Sequence, residues 1–410
     1  MIMMQQEIIP HLFRTEYTKI VSVLCKHFGL SHIEIAEDIA SETFLTAAQI
    51  WPLNGIPENP VAWLYTVAKN RTKNYLHRTS TFNKKLVPEL KKSSVEPDET
   101  EIDLSESNIN DSQLQMMFAI CHPAISSEAQ IGLSLRILCG FGIEEIADAF
   151  ITNKETINKR LFRAKEKLRE EKIKIEIPGE KEINERLENV LLTIYLLFNE
   201  GYYSVSNNQT LRKELCYEAM RLCNMLVENK NTCTPEANAL LALMCFHASR
   251  FDARLGKNGE LILYEDQDET MWDRELISKG AYYLNQASTG NGFTKYHLEA
   301  AIAYWHTQKA DTKEKWENIL QLYNKLLQIQ YSPIAAINRT FALSKANGKQ
   351  AAIIEAEKIN LTDNHFYYVL LGELYTGIDN SKAKENYEKA FSLAKSTVDR
   401  QNISKKIDNL

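Results

Sequence analysis

Two stretches of this chain gather residues able to meet a polyanion. The first, ITNKETINKRLFRAKEKLR from Ile151, sets Lys154, Lys159, Arg160, Arg163, Lys165, Lys167 and Arg169 against only Glu155 and Glu166. The second, NPVAWLYTVAKNRTKNYLHR from Asn59, carries Lys69, Arg71, Lys73 and Arg78 with no acid between them, and Trp63, Tyr65 and Tyr75 interleave with it. Lysine and arginine neutralise phosphates, and aromatic rings stack on unpaired bases, so this chemistry is that of nucleic-acid binding. The chain of 410 residues has a formal net charge of -6, so the basic character is local. Against this stand plainer readings: a solvated basic face for each helix and core packing for each ring.

The elements that must position these residues are helices. Thr152 and Glu155 form a capping box, which predicts a helix starting at Asn153. Ile157, Leu161, Ala164 and Leu168 then recur as a core-facing stripe, leaving Lys154, Thr156, Lys159, Arg160, Arg163 and Lys167 on the other faces. IEEIADAF, Ile143 to Phe150, predicts a short preceding helix with Ile146, Ala147 and Phe150 inside. Two helices joined by a tight turn, the second basic, make a helix-turn-helix whose second helix enters a major groove. Base contacts are expected between Asn153 and Arg163, with Glu155 accepting from a cytosine amine and Lys159 or Arg160 reaching guanine. Arg163, Lys165 and Lys167 are expected at phosphates. In the second stretch, Val61, Leu64, Val67, Ala68 and Tyr75 are the inner positions.

A chain this long holds two or three domains. Fifteen Gly and ten Pro are too few for a loop-rich β protein, so an all-α fold is expected. Residues 1–78 read as a first helical module. Residues 79–112 read as a mobile linker, because Glu96 to Asp111 holds seven acids and no base. Residues 113–177 form a second module and 178–410 a helical, repeat-like domain. Within the last, Leu371, Gly372, Tyr375, Ala383, Tyr387 and Ala390 lie near tetratricopeptide spacing.

His247 and Arg250, with the carboxylates of Asp266 and Asp268 and with Arg274, read either as the lining of a pocket for a small ligand or peptide or as a polar network that fixes helix packing. Gly201 reads as a helix stop. Seven cysteines without a CxxC pair suggest buried thiols rather than a metal site or disulfides. No signal peptide, membrane span, nucleophile and base pair, Walker loop or metal signature is evident. A cytoplasmic protein without catalytic residues, cofactor or metal is therefore expected.

AEDIASETFLTAAQIWP, NPVAWLYTVAKNRTKNYLHR and EEIADAFITNKETINKRLFRAKEKLR together resemble regions two and four of the extracytoplasmic-function sigma factors of the sigma-70 family. Blocks such as IYLLFNEGYYS, LLALMCFHASRFDAR and YHLEAAIAYWH resemble the subgroup with a long tetratricopeptide-like extension. The resemblance implies a bacterial promoter-specificity subunit of RNA polymerase. Region two would dock on the β′ clamp through Asp38, Ser41, Glu42, Phe44 and Leu45. It would melt the −10 element with Asn59, Trp63, Lys69, Asn70, Arg71, Lys73, Asn74 and Arg78. Region four would bind the −35 element and touch the β flap, the acidic linker would thread the polymerase channels, and the extension would regulate the core or recruit a regulatory protein or ligand. Ser41 stands where the family often has Gln, and Ile151 where its turn often has Gly; isoleucine disfavours left-handed backbone. A stand-alone helix-turn-helix regulator, which has no use for 38–78, and a repeat scaffold with incidental basic helices are the competing readings.

Overall fold

Apolar residues at helical spacing run through the whole sequence, and they fold accordingly. The computed structural model has eighteen α-helices and no strand among its described residues, so the fold is all-α as expected. Those residues are 2–86, 102–150, 152–179, 182–202, 213–254, 262, 264–289, 292–394 and 397–410, with backbone only at 2–7, 79–86, 148, 397 and 398. The chain divides into two units, Met1–Leu196 and Leu197–Leu410.

The first unit is built from α1 (Ile2–Phe28), α2 (Ile33–Asn54), α3 (Pro60–Leu86), α4 (Glu106–Ile120), α5 (Ser127–Leu133), α6 (Ile143–Ala149), α7 (Lys154–Glu170) and the first part of α8 (Ile183–Tyr202). α1 buries Tyr17, Ile20, Val21 and Leu24, and packs against α2 and α4. Phe13 stacks on Tyr17 at 4.6 Å between centroids and meets Phe44 of α2 edge-on at 5.1 Å. α3 adds Leu64, Ala68 and Thr72, all fully buried, while Val61, Val67 and Tyr75 are half-buried.

Three expected boundaries move. The first module was expected to end at residue 78, but α3 continues to Leu86. The linker was expected to run to residue 112, but Ile102 and Leu104 are already buried and α4 starts at Glu106. Ser105 caps it, its hydroxyl accepting from the Asn108 amide, and Asp103 accepts from the Ser105 amide at 2.8 Å. These short polar side chains favour a helix start, and the two apolar residues before them anchor the entry. The rest of the acidic segment, 87–101, lies outside the described residues, as does Ile151 of the expected turn. The division at 177/178 also falls inside the first unit. α8 buries Leu187, Val190, Leu191 and Ile194, Thr193 donates to Gln130 at 2.9 Å, and Arg186 donates to the Phe118 carbonyl. α8 continues through Gly201 to Tyr202, so the glycine does not stop it.

The second unit takes α8 onward through α9 (Lys213–Glu228), α10 (Pro235–Ala248), α11 (Arg274–Ala287), α12 (Lys295–Trp305), α13 (Lys313–Ile329), α14 (Pro333–Asn347), α15 (Lys349–Ile359), α16 (His365–Tyr375), α17 (Asn380–Leu393) and α18 (Thr397–Asp408). α10 is apolar on nearly every side and is packed by α9, α11 and α12. A helix hydrophobic all round must be central. From α13 to α18, each helix packs on the one before it. All seven cysteines are free thiols, and Cys233 is the exposed one.

The spacing of Gly372 and Tyr387 is explained by packing. A Cβ on Gly372 would lie 2.6 Å from ring atoms of Tyr387, whose side chain is buried. The glycine lets α16 and α17 approach. Gly372→Ala is expected to cost about 1–3 kcal/mol, the usual range for overpacking, read as a lower urea midpoint at unchanged slope. An unchanged midpoint would contradict this packing.

Candidate nucleic-acid interface

The helix with the highest density of basic residues is α7, and its cap sits one residue later than expected. Asn153 is the N-cap: its extended backbone turns Oδ1 onto the Thr156 amide at 2.8 Å. The Thr152 amide is used by the Ala147 carbonyl at 2.9 Å. Threonine and asparagine are both competent caps, and the backbone path decides between them. The predicted inner stripe is correct: Ile157, Leu161, Ala164 and Leu168 are buried.

This leaves Lys154, Glu155, Thr156, Lys159, Arg163 and Lys167 exposed, together with Asn153, whose Oδ1 serves the cap. Arg160 is half-buried, with its guanidinium 5.2 Å from the Phe150 ring centroid. Lys154 pairs with Glu144 of α6, and that hydrogen bond holds the Glu144 carboxyl below the usual range. Lys167 pairs with Glu171 at 2.8 Å. Exposed pairs like these are weak, so a phosphate can displace the acid.

The other end of α7 is occupied. Lys165 Nζ lies 2.6 Å from Glu37 of α2, and Arg136 Nε reaches the second oxygen of the same carboxylate at 3.4 Å. Arg169 reaches Glu34 at 2.9 Å, and Arg14 of α1 reaches Glu145 of α6 at 2.7 Å. Lys165, expected at a phosphate, is instead held on α2. Nothing in the local spacing signals these partners, because acid and base are 99 or more residues apart.

In the α3 region, Asn59 caps the helix, accepting from the Ala62 amide at 3.0 Å. The aromatics expected to stack on bases are engaged within the fold. Trp63 meets Trp51 edge-on at 5.4 Å, Tyr75 meets Phe28 at 5.9 Å, and Tyr65 donates to Glu16 at 2.6 Å. Burial and the Glu16 carboxylate push the Tyr65 phenol well above its ordinary pKa. Asn70, Lys73, Asn74 and Arg78 are exposed, and Lys69 is half-buried. Arg71 pairs with Glu42 of α2 and donates to Thr46 at 2.7 Å. Of the expected polymerase contacts, Asp38, Ser41, Glu42 and Leu45 are exposed, Leu45 by 57%. Phe44 is the exception: it is buried among Phe13 and Tyr17, because its position falls on the inner face of α2.

The polar network expected in the second unit does not form. Asp266, Asp268 and Arg274 are exposed. Asp268 accepts from the Thr270 amide at 2.9 Å, and Arg274 lies 3.5 Å from the Glu269 carbonyl. Arg250 is buried and His247 half-buried, both among aromatic rings, and they form no ion pair with these carboxylates. Among the described residues, no group of three or more His, Cys, Asp or Glu could hold a metal ion, and no helix is long and apolar enough to cross a membrane.

The triad of Glu37, Arg136 and Lys165 is expected to stabilise the first unit. Glu37→Gln should lower stability by about 1–3 kcal/mol, since it strands half-buried cations. Adding Lys165→Met should recover part of that loss, as urea unfolding of the single and double variants would read. Additive losses would mean the two side chains are not coupled.

A family model described as sigma-70 region 2 matches residues 12–81, which contain α2 and most of α1 and α3. A second, described as a family of unknown function (DUF6596), matches residues 186–288. A protein of Rhizobium meliloti (strain 1021), described as uncharacterized, is 32% identical over 386 residues, covering 92% of this chain and 90% of its own length. No solved structure matches.

Proposed function

We infer that this chain, which belongs to the sigma-70 family, reads promoter DNA with two separate helical elements while bound to core RNA polymerase. A sigma factor acts in transcription initiation by binding, and it is not an enzyme. The observation that carries the finer reading is the exposed face of Asn70, Lys73, Asn74 and Arg78 on α3, beside the exposed Asp38, Ser41, Glu42 and Leu45 of α2, within the stretch that matches region 2. In this reading the α2 residues meet the β′ clamp and the α3 face takes the −10 strand, its cations on the phosphates. Trp63 and Tyr75 are half-buried, so either ring reaches a base only by giving up part of its packing.

α6 and α7 form the duplex-reading unit, taking the −35 element in the major groove and touching the β flap. Lys159, with Glu155 and Thr156 on the same exposed turns, faces base edges, and Arg163 and Lys167 face phosphates. The acidic segment before α4 runs through the polymerase, where its charge imitates nucleic acid. The second unit regulates the first or recruits the partner that does. The protein is assigned to the extracytoplasmic-function group with a long helical extension, and to the bacterial cytoplasm, on the resemblance of its sequence blocks.

Reconstituted transcription tests this directly. Core polymerase with a promoter library should start transcripts only when the protein is added, and absence of core binding would remove the reading altogether. Arg163→Ala should weaken promoter binding on all sequences and reduce its salt slope by about one. Lys159→Ala should change preference at one −35 position by about 1–3 kcal/mol. A uniform loss from both substitutions would mean that Lys159 also meets phosphate. For the second unit, a chain ended after Leu196 keeps the whole first unit. Its promoter output should differ from that of the full chain, and equal output in vitro and in cells would exclude a regulatory role.

A further inference from the structure

In the second unit, Arg250 turns inward without an acid to meet it, and Lys309 and Lys315 approach the same aromatic ring. Tyr264 is at their centre. The Arg250 guanidinium lies 5.4 Å from its ring centroid, Lys309 Nζ 5.4 Å and Lys315 Nζ 5.3 Å. Trp272 stacks on Tyr264 at 6.3 Å, and His306 meets it edge-on at 5.2 Å. The Asp273 amide donates to the Ser249 carbonyl at 2.8 Å, which brings the chain at Trp272 beside the chain at Arg250.

Arg250 is 7% exposed, yet its Nε has no hydrogen-bond partner, and neither has the Nε1 of Trp272, which is 3% exposed. The Nδ1 of His247, one turn before Arg250, is also buried and unpartnered. Two acids of the neighbourhood are engaged elsewhere. Asp268 serves Thr270, and Asp311 serves Trp316 and Lys345. Lys309 and Lys315 are different: they donate to main-chain carbonyls of Tyr264, Glu265, Gln267 and Gln308, so they fix the loop around Tyr264. Burial, with Arg250 beside them, pushes the His306 imidazole down to about 3 and holds His247 well below its ordinary value. The site thus keeps its imidazoles neutral.

Holding a guanidinium out of water with no carboxylate is costly, and cation–π contact returns only part of that cost. An unmade buried N–H adds to that cost. Such a cluster is a poor structural device and a good receptor for an anion. The planar edge of a guanidinium matches a carboxylate, and flanking aromatic rings favour a ligand with an apolar body over a fully hydrated oxyanion. We propose that Arg250 and Trp272, around the Tyr264 ring, form a binding site for a small organic carboxylate, with Arg250 Nε and Trp272 Nε1 as its donors. The site stands whether or not the first unit works with polymerase, because its test reads binding and not transcription.

The test uses the full chain with sodium benzoate as the probe, and sodium phosphate and sodium chloride for comparison. Benzoate should raise the melting temperature by several degrees at saturation and give a calorimetric binding isotherm, while chloride at equal ionic strength does neither. Arg250→Met keeps the apolar stem and removes the charge. It should be no less stable than the parent without benzoate, and should bind benzoate at least about tenfold more weakly. Trp272→Phe keeps a ring and removes one donor, and should weaken binding about three- to tenfold. No response of the parent to benzoate, or an unaltered response in either variant, would overturn the proposal. A markedly destabilised Arg250→Met without benzoate would mean that the guanidinium is already compensated, which overturns it too. A phosphate response as large as that of benzoate would give the site to phosphate instead.

Discussion

One half-buried carboxylate determines how the first unit is assembled. Glu37 projects from α2 and receives Lys165 of α7 on one oxygen and Arg136, just beyond α5, on the other. Three segments far apart in sequence therefore share one charge. In a partly desolvated setting such a triad has a narrow tolerance, because losing any member leaves a charge without a counterpart. Arg169 with Glu34, and Arg14 with Glu145, extend the same logic outward to more exposed positions, where each pair adds little energy and mainly fixes register.

This anchoring explains the division of labour along α7. The end near the cap, Asn153 to Arg163, has its polar side chains exposed or lightly paired apart from the half-buried Arg160, whereas the far end has Lys165 and Arg169 committed to α2. A helix held at one end presents the other in a defined direction, which is what the proposed groove reading would need. Net basicity is therefore a poor measure of how much of α7 is free to meet DNA. Counted by sequence, the cations are evenly spread; counted by partner, they are not.

The fold was legible because helix burial has a period. The stripe Ile157, Leu161, Ala164, Leu168 and the inner residues Leu64 and Ala68 are buried as their spacing demands, and the spacing of Gly372 and Tyr387 corresponds to a close approach of two helices. Where the sequence offered two equivalent chemistries it could not choose. Thr152 and Asn153 can both cap, and only the backbone path selects Asn153. Phe44 sits close to the exposed Glu42 and Leu45 in sequence, but its angular position turns it into the core. Trp63, Tyr65 and Tyr75 suit both stacking on bases and packing, and composition does not separate the two. Least legible were the partners of charges. The acids near Asp268 are close to Arg250 in the chain and were expected to pair with it, yet local hydrogen bonding to Thr270 outcompetes the longer contact. Glu37 has no local signature of its role.

The pair of Arg71 and Glu42 has a consequence for how the two faces of the first unit communicate. Arg71 belongs to the helix expected at DNA and Glu42 to the helix expected at polymerase, and each neutralises the other in the free protein. If DNA took Arg71 or polymerase took Glu42, as proposed, the other would lose its counter-charge, so each binding event would favour the other. The pair is largely solvent-exposed, which limits that cooperation to under about 1 kcal/mol, or roughly fivefold in affinity. Thermodynamic reciprocity requires the same factor in both directions, so whatever DNA does for polymerase binding through this pair, polymerase does for DNA binding.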